Sequence, residues 1–128
     1  MLICTAAGEP GKTGVLVGGR LARRLNAQVT LLYVAAEAMP CSRRERAHLE
    51  HAASALRALD VPVSIRIRPA RSPAKGILFE SREGDHDLIV MGHHGPKSRA
   101  LFASDDVTLQ VLVGADRPVM IVPADAVG

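Results

Sequence analysis

The stretch from Ala6 to Gly14, AAGEPGKTG, follows a short apolar run and holds the residue types that grip phosphate. Ala6, four residues and then Gly11-Lys12-Thr13 come within one residue of the phosphate-loop motif of nucleotide hydrolases, with alanine in place of the leading glycine. In such a loop glycines let backbone N–H groups wrap the phosphates, the lysine reaches the outer phosphates and the hydroxyl residue binds magnesium. Pro10 takes one N–H out of the wrap. Hydrolases of this class also hold their metal with an aspartate at the end of another strand. Here Asp85 and Asp87 precede the fourth apolar run instead of following it. The stretch therefore reads as a polar strand-to-helix turn reversed by Gly8, Pro10 and Gly11, with Lys12 kept as a candidate nucleotide contact.

Other reactive residues give weaker signals. His93 and His94 are adjacent in a loop, but no carboxylate or cysteine sits at a metal-ligand spacing from them, so they read as a solvated or phosphate-facing loop and no metal is expected. His48 and His51 lie three apart beside Arg44 and Glu45, as on a charged helix surface. Ser98 and Ser104 lack the Gly-x-Ser-x-Gly setting of a hydrolase nucleophile, and no catalytic residue is assigned. Cys4 and Cys41 match neither a metal nor a redox spacing. Cys4 reads as a small core hydrophobe, and two such cysteines suit a reducing cytoplasm.

Five apolar, β-branched runs must position these residues: 1–6, 28–34, 61–67, 87–92 and 118–124. Helical patterns separate them. The first is expected from about Thr13 to Asn26, with Leu21 and Leu25 on its buried face. The second opens on Ser42-Arg43-Arg44-Glu45, a capping box, and carries Leu49, Ala52, Ala53, Leu56 and Leu59 at helical spacing. A third starts at Ser72-Pro73, an N-cap followed by proline at the first helical position, and ends near Gly84. The fourth is expected from about Asp105 to Val113. Alternating strands and helices imply parallel pairing through helical crossovers. The run LIVM is apolar on both faces, as a central strand should be. Ser64, Arg66 and Arg68 alternate with apolar residues, which places the third strand at an edge. Ligands of such doubly wound sheets bind beyond the carboxyl ends of the strands, where strand order reverses.

The segment from Asp87 to Ala124 is the most specific: a strand, Gly92-x-x-Gly95, nine residues from Pro96 to Ser104, Asp105-Asp106-Val107-Thr108, and then Ala115-Asp116-Arg117-Pro118-Val119 before a last strand. This resembles the universal stress protein family, and residues 22–34 and 72–92 resemble that family's first helix and second strand and its third helix and fourth strand. The resemblance implies a single domain over residues 1–128, a five-stranded parallel α/β sheet of Rossmann-like, doubly wound type in the order 3-2-1-4-5, and ATP or AMP binding in some members but not others. In binding members the glycine loop and a following Gly-Ser wrap the phosphates at a helix N-terminus, while an aspartate after the first strand and a valine at the end of the second hold the adenosine end. Those positions fall here at Gly92, Gly95, Asp105-Asp106, Ala6 and Val34, so the valine and first glycines are kept while the aspartate and the Gly-Ser are not. Two carboxylates about 5 Å from a triphosphate repel it by ~1 kcal/mol or more each, and a side chain at position 105 blocks the close approach glycine permits.

The expectation is a stress-response binding or regulatory module with weakened or absent ATP binding. Two alternatives stay open: an ATP- or AMP-binding member with slow hydrolysis, using Gly92, Gly95, Val34 and Lys12, and a nucleotide-sensing domain of a longer sensor kinase or transporter. Composition agrees. Hydrophobic residues make up 48% and aromatics 2%, which demands an aliphatic core of the kind that helix-covered sheets have. The net charge is only +3, and the clusters Arg23-Arg24 and Arg43-Arg44-Arg46 read as solvated helix faces, with no nucleic-acid or membrane partner expected. The final run, PVMIVPA, is an apolar edge with little to blunt it before Pro123, which invites a homodimer through the fifth strand.

Overall fold

Strand β1 (Leu2–Cys4) is apolar and buried on both faces, a pattern that only the middle of a helix-covered sheet satisfies. In the computed structural model, which describes residues 1–5, 9–37, 40–93 and 107–123, it is followed by α1 (Glu9–Leu25), β2 (Val29–Ala36), α2 (Arg43–Ala58), β3 (Val63–Ala70), α3 (Pro73–Glu83), β4 (Ile89–His93), α4 (Val107–Gly114) and β5 (Val119–Pro123). The five strands pair in parallel in the order β3-β2-β1-β4-β5. Cys4 sits level with Leu32 of β2 and Met91 of β4. The architecture is the one the sequence predicts, with β3 and β5 at the edges.

Alternate residues of each strand feed two aliphatic clusters. Ile3, Leu31 and Val90 point to the side where Val15 and Ala22 of α1 and Leu49, Ala53 and Leu56 of α2 cover the sheet. Leu2, Cys4, Leu32 and Ile89 point to the other, under Ala74 and Ile77 of α3 and Val111 of α4.

Helix α1 ends where expected but departs from expectation at its start and in its buried face. It begins at Glu9, so Pro10 and Gly11 lie in its first turn instead of a reversing loop. Proline is tolerated there because the first N–H groups of a helix have no internal partner. Its core face is Val15, Gly18, Gly19 and Ala22; Leu21 is only partly buried and Leu25 is 60% exposed. Small residues bring the axis close to the sheet: a Cβ on Gly18 would stand 2.9 Å from Ile3 Cδ1.

The other helices start where their signals lie. Ser42 Oγ accepts from Glu45 N (3.1 Å) while Glu45 Oε1 accepts from Ser42 N (2.9 Å), closing the capping box. Ser72 Oγ accepts from Lys75 N at 3.2 Å. Strands β2 and β3 run on to Ala36 and Ala70, beyond the apolar runs, with Pro69 level with Ala35. Since Val29 N donates to Pro62 O, even-numbered residues of β3 bond to β2 and odd-numbered ones face the open edge. Pro69 therefore lacks a donor only where none is used.

Candidate functional site

Strand order reverses between β1 and β4, whose crossovers leave on opposite sides. The crevice beyond their carboxyl ends is the place where this fold binds ligands. β1 reaches it through Thr5, whose N–H donates to Leu32 O (2.9 Å) and whose side chain is buried. On one flank Val34 occupies the sixth position of β2; on the other Gly92 sits near the end of β4, level with Val122 of β5. Two strand spacings, roughly 10 Å, separate the two residues.

Each is fixed by a glycine in a helix. A Cβ on Gly76 of α3 would come 2.7 and 2.8 Å from the two Cγ atoms of Val34, so that helix backbone presses the valine into place. A Cβ on Gly14 of α1 would stand 3.2 Å from Gly92 N and 3.5 Å from its Cα. The second turn of α1 thus rests on the backbone of β4 at the rim of the crevice. Nothing in the sequence flags Gly14 or Gly76 except glycine inside a helical pattern, which commonly signals close packing.

Of the sequence-derived candidates, Val34, Gly92 and the backbone of Lys12, in the opening turns of α1, gather at this end of the sheet. Ala6, Gly95, Asp105 and Asp106 lie outside the described residues. The phosphate-loop motif does not form a wrap: residues from Glu9 through Thr13 are already helical.

On the α1–α2 side of the same sheet end, the Tyr33 hydroxyl donates to Glu45. Burial first, and then this bond, push Tyr33 up to about 12. The backbone N–H of Ser42 first, and then Tyr33, hold the Glu45 carboxyl below its ordinary range. That carboxylate is fully engaged in fixing the start of α2, so it is not a poised acid or base. Among the described residues no three His, Cys, Asp or Glu side chains gather closely enough to hold a metal ion, and no helix is long and apolar enough to cross a membrane.

A second polar cluster lies on the α3 side of the sheet, running from the amino ends of β4 and β5 to Arg68, level with Val34. Glu80 of α3 is 3% exposed; its Oε1 is 3.0 Å from Arg66 Nε and 2.9 Å from Arg68 Nη2, and its Oε2 is 3.6 Å from His86 Nε2. Glu83 also binds Arg68 at 2.9 Å, and the Arg68 guanidinium lies 4.6 Å from the centre of the Phe79 ring. Arg117 donates to the carbonyls of Ser81 (2.6 Å) and His86 (2.7 Å). The sequence signal was present in alternate arginines on β3 and carboxylates three apart on α3. The cluster ties the edge strand and the α3–β4 turn together, and its cations are paired with carboxylates or with backbone carbonyls of the same cluster, which assigns it to architecture.

Comparison with known proteins places the chain by sequence and by shape. The model of the universal stress protein family matches residues 1–123. No curated protein sequence matches the chain. A crystal structure of a universal stress protein in complex with cAMP superposes with a TM-score of 0.80 at 20% identity, covering 97% of this chain and 95% of that one. A universal stress protein family member from Burkholderia pseudomallei gives 0.77 at 20% identity, covering 95% and 93%. One from Arabidopsis thaliana with AMP bound gives 0.74 at 18% identity, covering 98% and 91%. At such identities the likeness concerns the fold.

Proposed function

The chain belongs to the universal stress protein family, and from that membership we propose that it is a regulatory binding module whose crevice takes an adenine nucleotide, with ATP held weakly or not at all. The observation that carries the reading is the placement of Val34 and Gly92 on either side of β1, at the point where strand order reverses. The adenosine end is assigned to Val34, and the phosphate end to Gly92, Gly95 and Lys12. The structurally similar proteins with cAMP and AMP bound lend support. Ala6 and Asp105-Asp106 set the limit: the first offers no carboxylate to the ribose side, and the pair adds negative charge beside phosphate. A monophosphate suffers less from that charge than a triphosphate. No catalytic residue is assigned.

Residues 1–128 form one such domain, and two copies pair through β5, an edge strand in the sheet. The two free thiols, Cys4 and Cys41, suit a reducing cytoplasm.

Calorimetric titration tests the site. Wild-type protein is expected to bind ATP at millimolar levels or weaker. Changing Asp105→Gly and Asp106→Ser together should gain ~1–3 kcal/mol, about 5- to 150-fold, with the gain shrinking as salt screens the relieved repulsion. Adding Ala6→Asp should improve binding further. Micromolar ATP binding by the wild type would overturn the electrostatic argument.

A further inference from the structure

The fold treats its arginines differently on its two sides. On the α3 side Arg66, Arg68, Arg82 and Arg117 each lie within salt-bridge distance of a carboxylate. On the α1–α2 layer Arg20, Arg23 and Arg24 of α1 and Arg43, Arg44 and Arg46 of α2 are all exposed, and none is paired with a carboxylate among the described residues. Between Thr13 and Ala58 the acidic residues are Glu37, Glu45 and Glu50, and Glu45 is engaged by Ser42 and Tyr33. Three of the arginines occupy the opening turn of α2, where the helix dipole disfavours cations. Charges that break a local rule without a compensating partner point to an external one.

We propose that the α1–α2 face binds the phosphate backbone of double-stranded nucleic acid without reading its sequence. The sequence hides this because each cluster alone looks like a solvated helix surface; only the fold brings them into one layer and sends the paired arginines to the other. Guanidinium groups suit phosphate, which they engage with two parallel N–H bonds. Both helices return antiparallel to the strands, so the α2 cluster lies at one end of the layer and the α1 cluster at the other, separated by roughly the 20 Å that 13–14 helical residues span. Two clusters so spaced reach phosphates on both sides of a major groove ~12 Å wide. Single strands fit poorly, because they need aromatic platforms, and Tyr33 is bound to Glu45 while Phe79 lies beside Arg68 on the opposite face. A lipid surface fits poorly too. The large apolar side chains exposed on this layer, Leu16 and Leu25, are nine residues apart, half a turn out of phase, and form no stripe that could sink into a bilayer.

The test is fluorescence anisotropy with a labelled duplex of about 20 base pairs, using the full chain over a range of salt concentrations. The logarithm of affinity should fall with the logarithm of salt at a slope of about −3 to −5, as expected for about four or five neutralised phosphates. A duplex of unrelated sequence should bind within about twofold. Replacing Arg43, Arg44 and Arg46 together by alanine should weaken binding at least tenfold at low salt and make the slope shallower by about 2 to 3, with the melting temperature held. Arg71→Ala, exposed on the β3–α3 connection, should change nothing. The proposal is overturned by absent duplex binding at about 25 mM salt, by an equal loss with Arg71→Ala, or by tighter binding to phosphatidylglycerol vesicles than to the duplex at matched salt.

Discussion

Glu80 is the buried charge on which most of the polar architecture leans, and His86 is the neighbour whose protonation can disturb it. His86 packs against Glu80 at 3.6 Å and beneath the turn at Gly84, where a Cβ would come 2.5 Å from its Nε2. Burial first, and then the positive chain terminus at Met1, lower its pKa below 6.5; Glu80 works the other way without prevailing, and Arg117 adds to the lowering. The unfolded chain therefore takes up this proton at a higher pH than the folded one. Stability from this residue is complete above the unfolded value near 6.5 and falls as pH drops below it. Thermal melts at pH 7.5 and pH 5 should show a loss in acid that His86→Gln reduces. An unchanged acid loss in that variant would mean that the carboxylates alone carry it.

Among elements, α3 does the most specific work, because its backbone, through Gly76, holds a strand residue of the crevice. Gly76→Ala would drive a Cβ into both methyl groups of Val34 and to 3.2 Å from Ala70 Cβ. Overpacking of this kind costs ~1–3 kcal/mol, about 4–12 °C in melting temperature for a chain of this size. Val34→Ala in the same background should recover much of the loss, since the two positions touch and their effects do not add. Simple addition of the two losses in calorimetry would mean that α3 does not set Val34. Such contacts mark the boundary of what the residues disclose by themselves. The strand and helix alternation, the capped starts of α2 and α3 and the edge position of β3 were legible because periodicity, Ser42-x-x-Glu45, Ser72-Pro73 and the alternating arginines are local signals; the strand order came from the family resemblance. The glycine face of α1 was not, because leucines at helical spacing outweighed small residues whose value lies in close approach. The pairing of Arg66 and Arg68 with Glu80 left its residue types in the pattern, but not which groups meet, because it joins elements a dozen or more residues apart. Val34 and Gly92 were marked by the family resemblance, and the fold sets both at the end of the sheet where strand order reverses, while Gly14 and Gly76, which pack on them, needed the third dimension.

At the scale of the whole molecule, the two exposed sheet edges differ. β3 carries exposed Arg66 and Pro69 on its edge, the charge and proline that discourage further pairing. β5 has only Pro123, at its end. Ile89 N donates to Pro118 O at 3.0 Å, so even-numbered residues of β5 bond inward, and Val119 and Ile121 present their backbone groups to the edge. Met120 and Ile121 both pack against the core, from opposite faces, so the side chains of β5 present no outward apolar face to which a charge could be added. The proposed dimer is better tested by Ile121→Pro, which removes an outward N–H and leaves the inner ladder intact. Light scattering should show a dimer for the wild type and a monomer for the variant; a monomeric wild type, or a variant that stays dimeric, removes the β5 interface. The central strand offers a last consequence. Cys4 lies 8% exposed in the middle of the sheet, and burial, followed by the charge of Glu80, pushes its thiol up to about 12. At pH 8 the buried thiol stays protonated, and alkylating reagents need the thiolate. Cys41 is partly exposed and should react at once, whereas Cys4 should wait for the sheet to open. Timed alkylation read by intact mass would then show one prompt adduct and one late one. The late adduct makes the protein its own clock, counting how often β1 is released from its neighbours under conditions where no denaturant is present.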